Sequence, residues 1–310
     1  MTITTVTLTA EDVRAAVSMP DAIDAIRQAF LDLEAGAFEQ PTRTALRDGQ
    51  FLVMSAHHRE TASAMVKTLS LNFERTPAIS GTVVWSETGN PNHLVADAIS
   101  VTTLRTGAIV GVATDLLADP EVDRMALIGA GGQAPDQIRA VHAVRPLRSL
   151  TIVDRDKSKA ARIAEELSTE LAGVNIAVST DIGATVSDVD IVCCATPATT
   201  PLFDAGALPT HVHVNAIGAF RPTMRELPSE LLGAATVLID EKQAILEESG
   251  EVLHALDAGL IREDDLIELG SALRKGISDR QQRTVFKTVG VAAQDWAIAR
   301  LLATKFLPNQ

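Results

Sequence analysis

Three basic side chains in the N-terminal part of the chain stand among uncharged neighbours. They are Arg43 in QPTRTAL, Lys67 in AMVKTLSL and Arg105 in TTLRTGA. The planar guanidinium group of arginine suits capture of a carboxylate through two hydrogen bonds, and two such groups with an ammonium group would fix the head group of an α-amino acid. The alternative is that one or more of them extends into solvent or pairs with a surface acid. We expect a carboxylate-binding site at these three residues.

Lys67 has a second predicted role, in proton transfer. A lysine within an apolar strand has its pKa lowered by desolvation and by neighbouring arginines, so it can give or take a proton near neutral pH. We therefore expect Lys67 to be the catalytic proton-transfer residue. A water molecule held by Lys67 is the alternative.

A glycine turn follows an apolar run in ALIGAGGQAPDQI, residues 126–138. The pattern is G-x-G-x-x-A: the first glycine permits a tight turn, the second lets the backbone approach a pyrophosphate, and the small third residue lets the helix pack on the strand. N–H groups at the start of the helix would hold the phosphates. The residues assigned to this dinucleotide site are Gly129, Gly131, Gly132, Gln133 and Ala134.

An acidic residue after the next apolar run sharpens this prediction. Asp154 ends LTIVD, 23 residues after Gly131, where a carboxylate accepts hydrogen bonds from ribose hydroxyls and repels the 2′-phosphate of NADP. Arg155 beside it could pair with such a phosphate. We therefore expect both residues to contact the cofactor, with NAD(H) favoured and NADP(H) possible. An ordinary glycine-rich turn without a ligand is the alternative.

The elements that position this turn are predicted from periodicity. From residue 124 onward, near-continuous apolar runs alternate with helical or short polar segments, as parallel strands covered on both faces do. This predicts a doubly wound parallel α/β sheet, a Rossmann domain. The predicted strands are 125–129, 150–154, 174–178, 190–195, 213–218 and 236–240.

The cationic residues belong to a different pattern. Residues 18–36 predict an amphipathic helix, a second helix ends before Pro120, and residues 284–306 predict one more long helix that returns to the N-terminal part. Short β-prone runs predict a small antiparallel or mixed sheet. They are 51–54, 64–71, 81–86 and 93–98.

The predicted fold class is therefore α/β, with a Rossmann domain plus an α+β domain for substrate binding and dimerisation. The predicted Rossmann domain is 116–283, and the second domain is discontinuous, 1–115 with 284–310. In open α/β sheets, ligands bind at the carboxyl ends of the strands. We expect further cofactor contacts there from Thr196, Asn215 and Gly218.

Other classes of function are disfavoured. The chain has 310 residues and a formal net charge of −13, which repels nucleic acid and anionic lipid. No stretch has the length of a membrane span and no signal segment is evident, so we expect a cytoplasmic protein. Cys193 and Cys194 point to opposite faces of a predicted strand, so we expect them to be core residues. His211 and His213 share one face of a strand but lack a third ligand, so no metal is expected.

Four motifs in order resemble the ornithine cyclodeaminase/mu-crystallin family. They are LRTGA at 104–108, ALIGAGGQA at 126–134, HVNAIGAFRPTMREL at 213–227 and VFKTVG at 285–290. The resemblance implies a Rossmann domain with a dimerising substrate domain, NAD(H) or NADP(H) as cofactor, amino acids or imines as small-molecule substrates, and a homodimer. It also implies that Arg43, Lys67 and Arg105 bind the substrate carboxylate and α-substituent. Arg47 competes with Arg43 for that alignment, and Lys287 and Thr288 have no assigned role.

One position departs from the cyclodeaminases. They carry an aspartate for the cyclising amine where this chain has Phe220, whereas Arg221 and Pro222 match the reductases that resemble mu-crystallin. We therefore expect an NAD(P)H-dependent reductase of an imino or ketimine acid, or its reverse, the oxidative deamination of an amino acid. Two alternatives stay open: a lyase of the cyclodeaminase type, and a non-catalytic protein that binds NAD(P)H or a small ligand.

Overall fold

The computed structural model describes residues 3–72, 74–75, 77–277 and 282–307. The strands are β1 Thr5–Leu8, β2 Phe38–Glu39, β3 Thr44–Leu46, β4 Phe51–His58, β5 Ser63–Leu71, β6 Ile79–Glu87, β7 Asn90–Asp97, β8 Arg124–Ile128, β9 Ser149–Val153, β10 Asn175–Ser179, β11 Ile191–Cys194, β12 Val212–Ala216, β13 Thr236–Ile239, β14 Leu266–Glu268 and β15 Arg283–Lys287. The α-helices are α1 Ala10–Ala16, α2 Met19–Glu34, α3 Ala98–Leu117, α4 Ala134–Val144, α5 Lys157–Leu167, α6 Ile182–Val186, α7 Ser229–Gly233, α8 Lys242–Glu248, α9 Gly250–Asp257, α10 Leu269–Lys275 and α11 Ala292–Phe306.

The chain divides into two compact units. The first consists of Met1–Ile109 with Val291–Gln310, and the second of Val110–Gly290. The N-terminal part and the C-terminal segment thus share a unit, although the divisions fall inside α3 and after β15 rather than at the expected 115 and 284.

The sheet of the first unit is mixed. Its order is β1-β7-β6-β5-β4-β2, with β3 beside β4; β1 and β7 are parallel, and the other neighbours are antiparallel. Residues along a strand alternate between the two faces of the sheet. On one face Met54, Met65 and Trp85 are buried, and α11 packs against β4, β5 and β6 on this unit. Lys67 shares the parity of Met65 on β5, so its side chain belongs to this buried face.

The other face of this sheet is exposed and apolar. Val66 pairs with Val84 across β5 and β6, and Leu46 pairs with Phe51 across β3 and β4. All four side chains are exposed. The register places polar, uncharged residues between them, with Val66 opposite Ser55 and Thr68 opposite Thr82.

The second unit contains an eight-stranded sheet in the order β10-β9-β8-β11-β12-β15-β13-β14. Every neighbouring pair in it is parallel. The six predicted strands all lie in this sheet, which confirms the doubly wound α/β prediction. Strand order reverses between β8 and β11, the switch point at whose carboxyl edge such sheets bind ligands. Cys193 and Cys194 are fully buried on β11, so their prediction as core residues is confirmed.

The prediction of one helix over 284–306 is wrong. Residues 283–287 form β15, which pairs with β12 and β13, and α11 begins only at Ala292. A continuous apolar run fits a buried strand and a buried helix equally well, so periodicity could not place the break. None of the helices in the described parts of the chain has the length and apolar character needed to cross a membrane.

Candidate functional site

Lys67 is buried and paired within the first unit. Its side chain is 1% exposed. The Nζ atom donates to Oδ2 of Asp295 at 2.7 Å and to Oγ1 of Thr102 at 3.3 Å. Among the residues that the structure describes, these acceptors account for two of the three ammonium hydrogens.

Helix α11 supplies partners of Lys67 and Arg105. Asp295 lies in its first turn and is fully buried, where the partial positive charge of a helix N-terminus stabilises a carboxylate. Its Oδ1 atom lies 3.5 Å from Nε of Arg105, and Nη1 of Arg105 donates to Oε1 of Gln294 at 2.5 Å. Asp295 thus lies between Lys67 and Arg105.

The sequence prediction missed Asp295 and Gln294. The available signal was the pair of polar residues in AAQDWAIA, an otherwise apolar helical run. Buried charged residues in such runs require partners, which is a reason to look for cations elsewhere in the chain.

The charges around Lys67 alter its protonation. Burial lowers the pKa of Lys67 to about 8, the charge of Asp295 opposes that shift, and the positive charges of Arg105 and Arg43 add to it. Arg43 therefore acts on Lys67, as predicted, whereas Arg47 lies exposed in the turn between β3 and β4 with a φ of 49°. The structure brings Lys67 and Arg105 to one buried carboxylate, with Arg43 within electrostatic reach of Lys67.

An aromatic group packs behind this cluster. Nε1 of Trp296 donates to Oγ of Ser63 at 3.0 Å. Its ring lies 5.7 Å from that of Trp85 and 4.6 Å from that of His58, measured between centroids. Burial lowers the pKa of His58, which favours its neutral form.

The glycine turn in the second unit has the geometry that the sequence predicts. Gly129 has a φ of 103°, and a Cβ atom there would meet the carbonyl oxygen of Ala195 at 2.5 Å. A Cβ at Gly131 or Gly132 would meet nothing within 4 Å. Helix α4 then begins with Gln133 as N-cap and no side-chain hydrogen bond to its first N–H groups. Open space beside a helix N-terminus fits a diphosphate.

Asp154 reaches this turn. Its Oδ2 atom accepts a hydrogen bond from the N–H of Ala130 at 2.8 Å, and its Oδ1 atom accepts one from the N–H of Asp156 at 2.8 Å. Arg155 is exposed. The carboxylate is therefore fixed beside the glycine turn, and its contact with a ribose stays a prediction.

Thr196 and Gly218 lie at the carboxyl edge of the sheet, where both donate hydrogen bonds to the carboxylate of Glu226. The N–H and the hydroxyl of Thr196 donate to Oε1 of Glu226 at 2.6 and 2.8 Å, and the N–H of Gly218 donates to Oε2 at 2.7 Å. The donors of Thr196 are thus engaged within the protein. The sequence prediction missed Glu226, because an acid in MREL gives no sign of burial.

Asn215 does not join this edge. It is fully buried; its Nδ2 atom donates to Oγ1 of Thr114 at 3.0 Å, and its Oδ1 atom lies 3.1 Å from Nε2 of His213. Both ends of the amide have partners inside the second unit. The structure therefore gives Asn215 a place in an internal network instead of at the predicted cofactor contact.

The remaining motif residues have internal roles as well. The buried Lys287 lies 3.3 Å from Oε2 of Glu251 and donates to the carbonyl oxygen of Ala219 at 2.5 Å. The hydroxyl of Thr288 donates to Oδ2 of Asp240 at 2.5 Å. Phe220 is half-buried, with the guanidinium carbon of Arg221 at 5.6 Å from its ring centroid.

Comparisons with known proteins agree with these features. A model of the ornithine cyclodeaminase/mu-crystallin family matches residues 3–309. A Delta(1)-pyrroline-2-carboxylate reductase of Bacillus cereus is 36% identical over 231 residues, 72% of this chain and 70% of that protein. The solved structure of Thermococcus litoralis Delta(1)-pyrroline-2-carboxylate reductase in complex with NADH and L-proline has a TM-score of 0.91 and 29% identity and covers 97% of both chains. An archaeal alanine dehydrogenase dimer with bound NAD has a TM-score of 0.88 and 26% identity and covers 99% of this chain and 98% of that chain.

Proposed function

The chain belongs to the ornithine cyclodeaminase/mu-crystallin family, and on this premise we propose that it is a nicotinamide-coenzyme-dependent reductase of imino or ketimine acids. The reaction reduces the C=N bond at C2 of the acid to an amine, and its reverse is the oxidative deamination of an amino acid. The carbon gains a hydride and the nitrogen a proton, while the coenzyme is oxidised.

The observation that carries this proposal is the cationic cluster of the first unit. Lys67 and Arg105 lie on either side of the buried carboxylate of Asp295, and the positive charge of Arg43 acts on Lys67. Cationic side chains gathered in one buried place favour binding of an anion. A guanidinium group and an ammonium hydrogen match the two oxygens of a carboxylate. An imino acid presents that carboxylate next to the carbon that is reduced.

The second unit has the features that a dinucleotide needs. Gly131 and Gly132 leave open space beside the N-terminus of α4, and Asp154 lies at the same turn. We assign the phosphates to residues 129–134 and the ribose hydroxyls to Asp154, with Arg155 and the edge residues Thr196 and Gly218 nearby. When bound, the coenzyme supplies the hydride. Because the Asp154 carboxylate repels a 2′-phosphate, we propose NAD(H) as the preferred coenzyme.

Lys67 is the proposed proton donor to the imine nitrogen. With a pKa of about 8 it is mostly protonated at neutral pH, yet it gives up its proton more readily than an ordinary lysine. Its hydrogen bond to Asp295 fixes the direction of the ammonium group. The half-buried Phe220 argues against the cyclodeaminase reaction, since it offers no carboxylate to the cyclising amine.

The proposed assembly is a homodimer formed through the exposed sheet face of the first unit. Leu46, Phe51, Val66 and Val84 expose apolar surface on this face, and the register places uncharged residues among them. Such a patch is typical of a protein interface. Val66→Lys should therefore give monomers in light scattering, whereas wild-type protein gives dimers; a monomeric wild type would refute the assignment.

The function is tested by following NADH absorbance with a panel of imino acids. Δ1-Pyrroline-2-carboxylate, its six-membered homologue, and pyruvate with ammonia should be compared, each with NADH and NADPH. At least one imino acid should oxidise the coenzyme, and Lys67→Met should lower kcat/KM by roughly 10²–10⁴ without altering NADH affinity. Binding of coenzyme without turnover on any of these acids would contradict the proposal.

A further inference from the structure

Glu226 connects two loops at the carboxyl edge of the second sheet. Its Oε1 atom accepts from the N–H and hydroxyl of Thr196, after β11, and its Oε2 atom accepts from the N–H groups of Gly218 and Ala219, after β12, at 2.7 and 3.3 Å. One carboxylate therefore receives four hydrogen bonds from two separate chain segments. The residue is fully buried, so no solvent can replace these contacts.

Thr196, which accounts for two of the hydrogen bonds to Glu226, also packs against the glycine turn. A Cβ added at Gly129 would meet Cγ2 of Thr196 at 2.9 Å, and one at Gly218 would meet the carbonyl oxygen of Thr196 at 2.2 Å. Thr196 therefore packs against both glycines. A shift of Thr196 would move the surface on which the proposed coenzyme site is built.

Charged and ionisable groups surround Glu226. Its own N–H donates to Oε1 of Glu251 on α9, and Glu251 pairs with Lys287 of β15. The thiols of Cys193 and Cys194 on β11 are also within electrostatic reach, and burial raises the pKa of both, which keeps them neutral. Two buried carboxyl groups thus lie within electrostatic reach of one lysine.

Four donors point at Glu226, so its ionised form is the one that holds both loops. A proton on either oxygen would face an N–H or O–H group and displace at least one hydrogen bond. We propose that Glu226 is a positioning residue: its carboxylate holds Thr196 and residues 218–219 in the arrangement that binds the coenzyme, and its protonation releases them. This inference rests on the proposed function, because it concerns the coenzyme site.

The ionised and protonated forms of Glu226 are about equally populated near neutral pH. Burial raises the pKa of Glu226 to about 7, with the charge of Glu251 acting in the same direction and Lys287 and the Thr196 hydrogen bonds opposing it. Coenzyme affinity should therefore depend on one proton in this range. Below the pKa, the dissociation constant for NADH should rise about tenfold per pH unit.

Glu226→Gln is the informative variant, because it keeps the shape of the side chain and removes the titration. Its amide can accept from one loop only, since the other end carries N–H groups. Titration of NADH by calorimetry from about pH 5.5 to about pH 8.5 should give a dissociation constant at least tenfold higher than wild type at the alkaline end and no dependence on this proton. The exposed Glu230→Gln is the matched control and should behave as wild type.

A second measurement does not need the coenzyme. Backbone hydrogen exchange at residues 196 and 218–219 should be faster in Glu226→Gln than in wild type at alkaline pH, and the two proteins should converge at acid pH. A wild-type NADH affinity that does not change with pH, or equal exchange in both proteins throughout, overturns the inference. Absence of NADH binding at every pH defeats the proposed function instead, and the exchange data then still decide the role of Glu226.

Discussion

The ammonium nitrogen of Lys67 lies 2.7 Å from Oδ2 of Asp295, 228 residues further along the chain. Both side chains are excluded from solvent, so the charge of Asp295 favours the protonated form of Lys67. The pair joins strand β5 to helix α11 at the place where Arg105 also contacts Asp295. The proposed proton transfer and the stability of the first unit therefore depend on the same contact.

Asp295→Asn should shift the pH dependence of imine reduction. The variant removes the negative charge that raises the pKa of Lys67, while burial and the charges of Arg105 and Arg43 continue to lower it from about 8. Because the proposed reaction needs protonated Lys67, kcat/KM should begin to fall at lower pH than in wild type. Steady-state rates across neutral and alkaline pH measure the shift.

The control for this variant is Asp24→Asn, which changes an exposed carboxylate on α2 of the same unit. Loss of one partner of a buried ion pair destabilises a protein by about 3–5 kcal/mol, so circular dichroism must first show that Asp295→Asn is folded. If kcat/KM falls over the same alkaline pH range in the folded variant and in wild type, Asp295 has no role in the mechanism.

Arg43→Ala and Arg47→Ala should separate two arginines that the sequence leaves in competition. The charge of Arg43 acts on Lys67, whereas Arg47 is exposed in a turn. Loss of hydrogen bonds to a charged group is worth about 1.5–3 kcal/mol, so Arg43→Ala should raise KM for the imino acid about ten- to a hundredfold. Arg47→Ala should leave KM unchanged, and the opposite result would reassign the substrate carboxylate.

Gly131→Ala and Gly129→Ala should distinguish ligand binding from folding. A Cβ at Gly131 enters open space, so the thermal midpoint should stay near that of wild type while NADH affinity falls at least about tenfold. Gly129 has a φ of 103° and no room for a Cβ, so Gly129→Ala should lower stability by at least about 1–3 kcal/mol. Thermal melts and calorimetry on both variants check this, and unchanged NADH affinity in Gly131→Ala would argue against a diphosphate at the turn.

Asp154→Asn should weaken the discrimination between the two coenzymes. The amide keeps one acceptor for the N–H of Ala130 but removes the charge that would repel a 2′-phosphate. The ratio of kcat/KM with NADH to that with NADPH should fall about tenfold or more, with little change in substrate KM. Asp156→Ala removes the N-cap of α5 and should lower stability by about 1 kcal/mol without changing this ratio. An unchanged ratio in Asp154→Asn would assign the preference to other residues.

Local pattern was sufficient for much of the fold. The central strands β8 and β11 to β13 are largely apolar because a parallel sheet is covered on both faces, and the glycine turn follows from the spacing of three small residues. Residues 284–306 were not divided in the same way, because the strand and the helix are both apolar and the one glycine between them, Gly290, is also tolerated within a helical pattern. Only the pairing of β15 with two distant strands separates the two elements.

The predicted cations could be found because charges are unusual in apolar runs, but their partners could not. Asp295 and Glu226 act through contacts with residues far away in sequence, and a single sequence contains no measure of such distances. Asn215 is the opposite case, in which the sequence suggested a contact with a ligand and the side chain has partners within the protein. Its position near the end of β12 suggested a ligand contact, whereas the alternation along the strand directs its amide towards Thr114 and His213.

The contact between Trp296 and Trp85 has a practical consequence. These are the two tryptophans of a chain that contains no tyrosine, and both belong to the first unit, where Trp296 directly follows Asp295. Ultraviolet-excited emission of the protein therefore arises almost entirely beside the proposed carboxylate-binding cluster. The molecule has a built-in optical probe for stopped-flow observation of the acid as it arrives, without any attached dye.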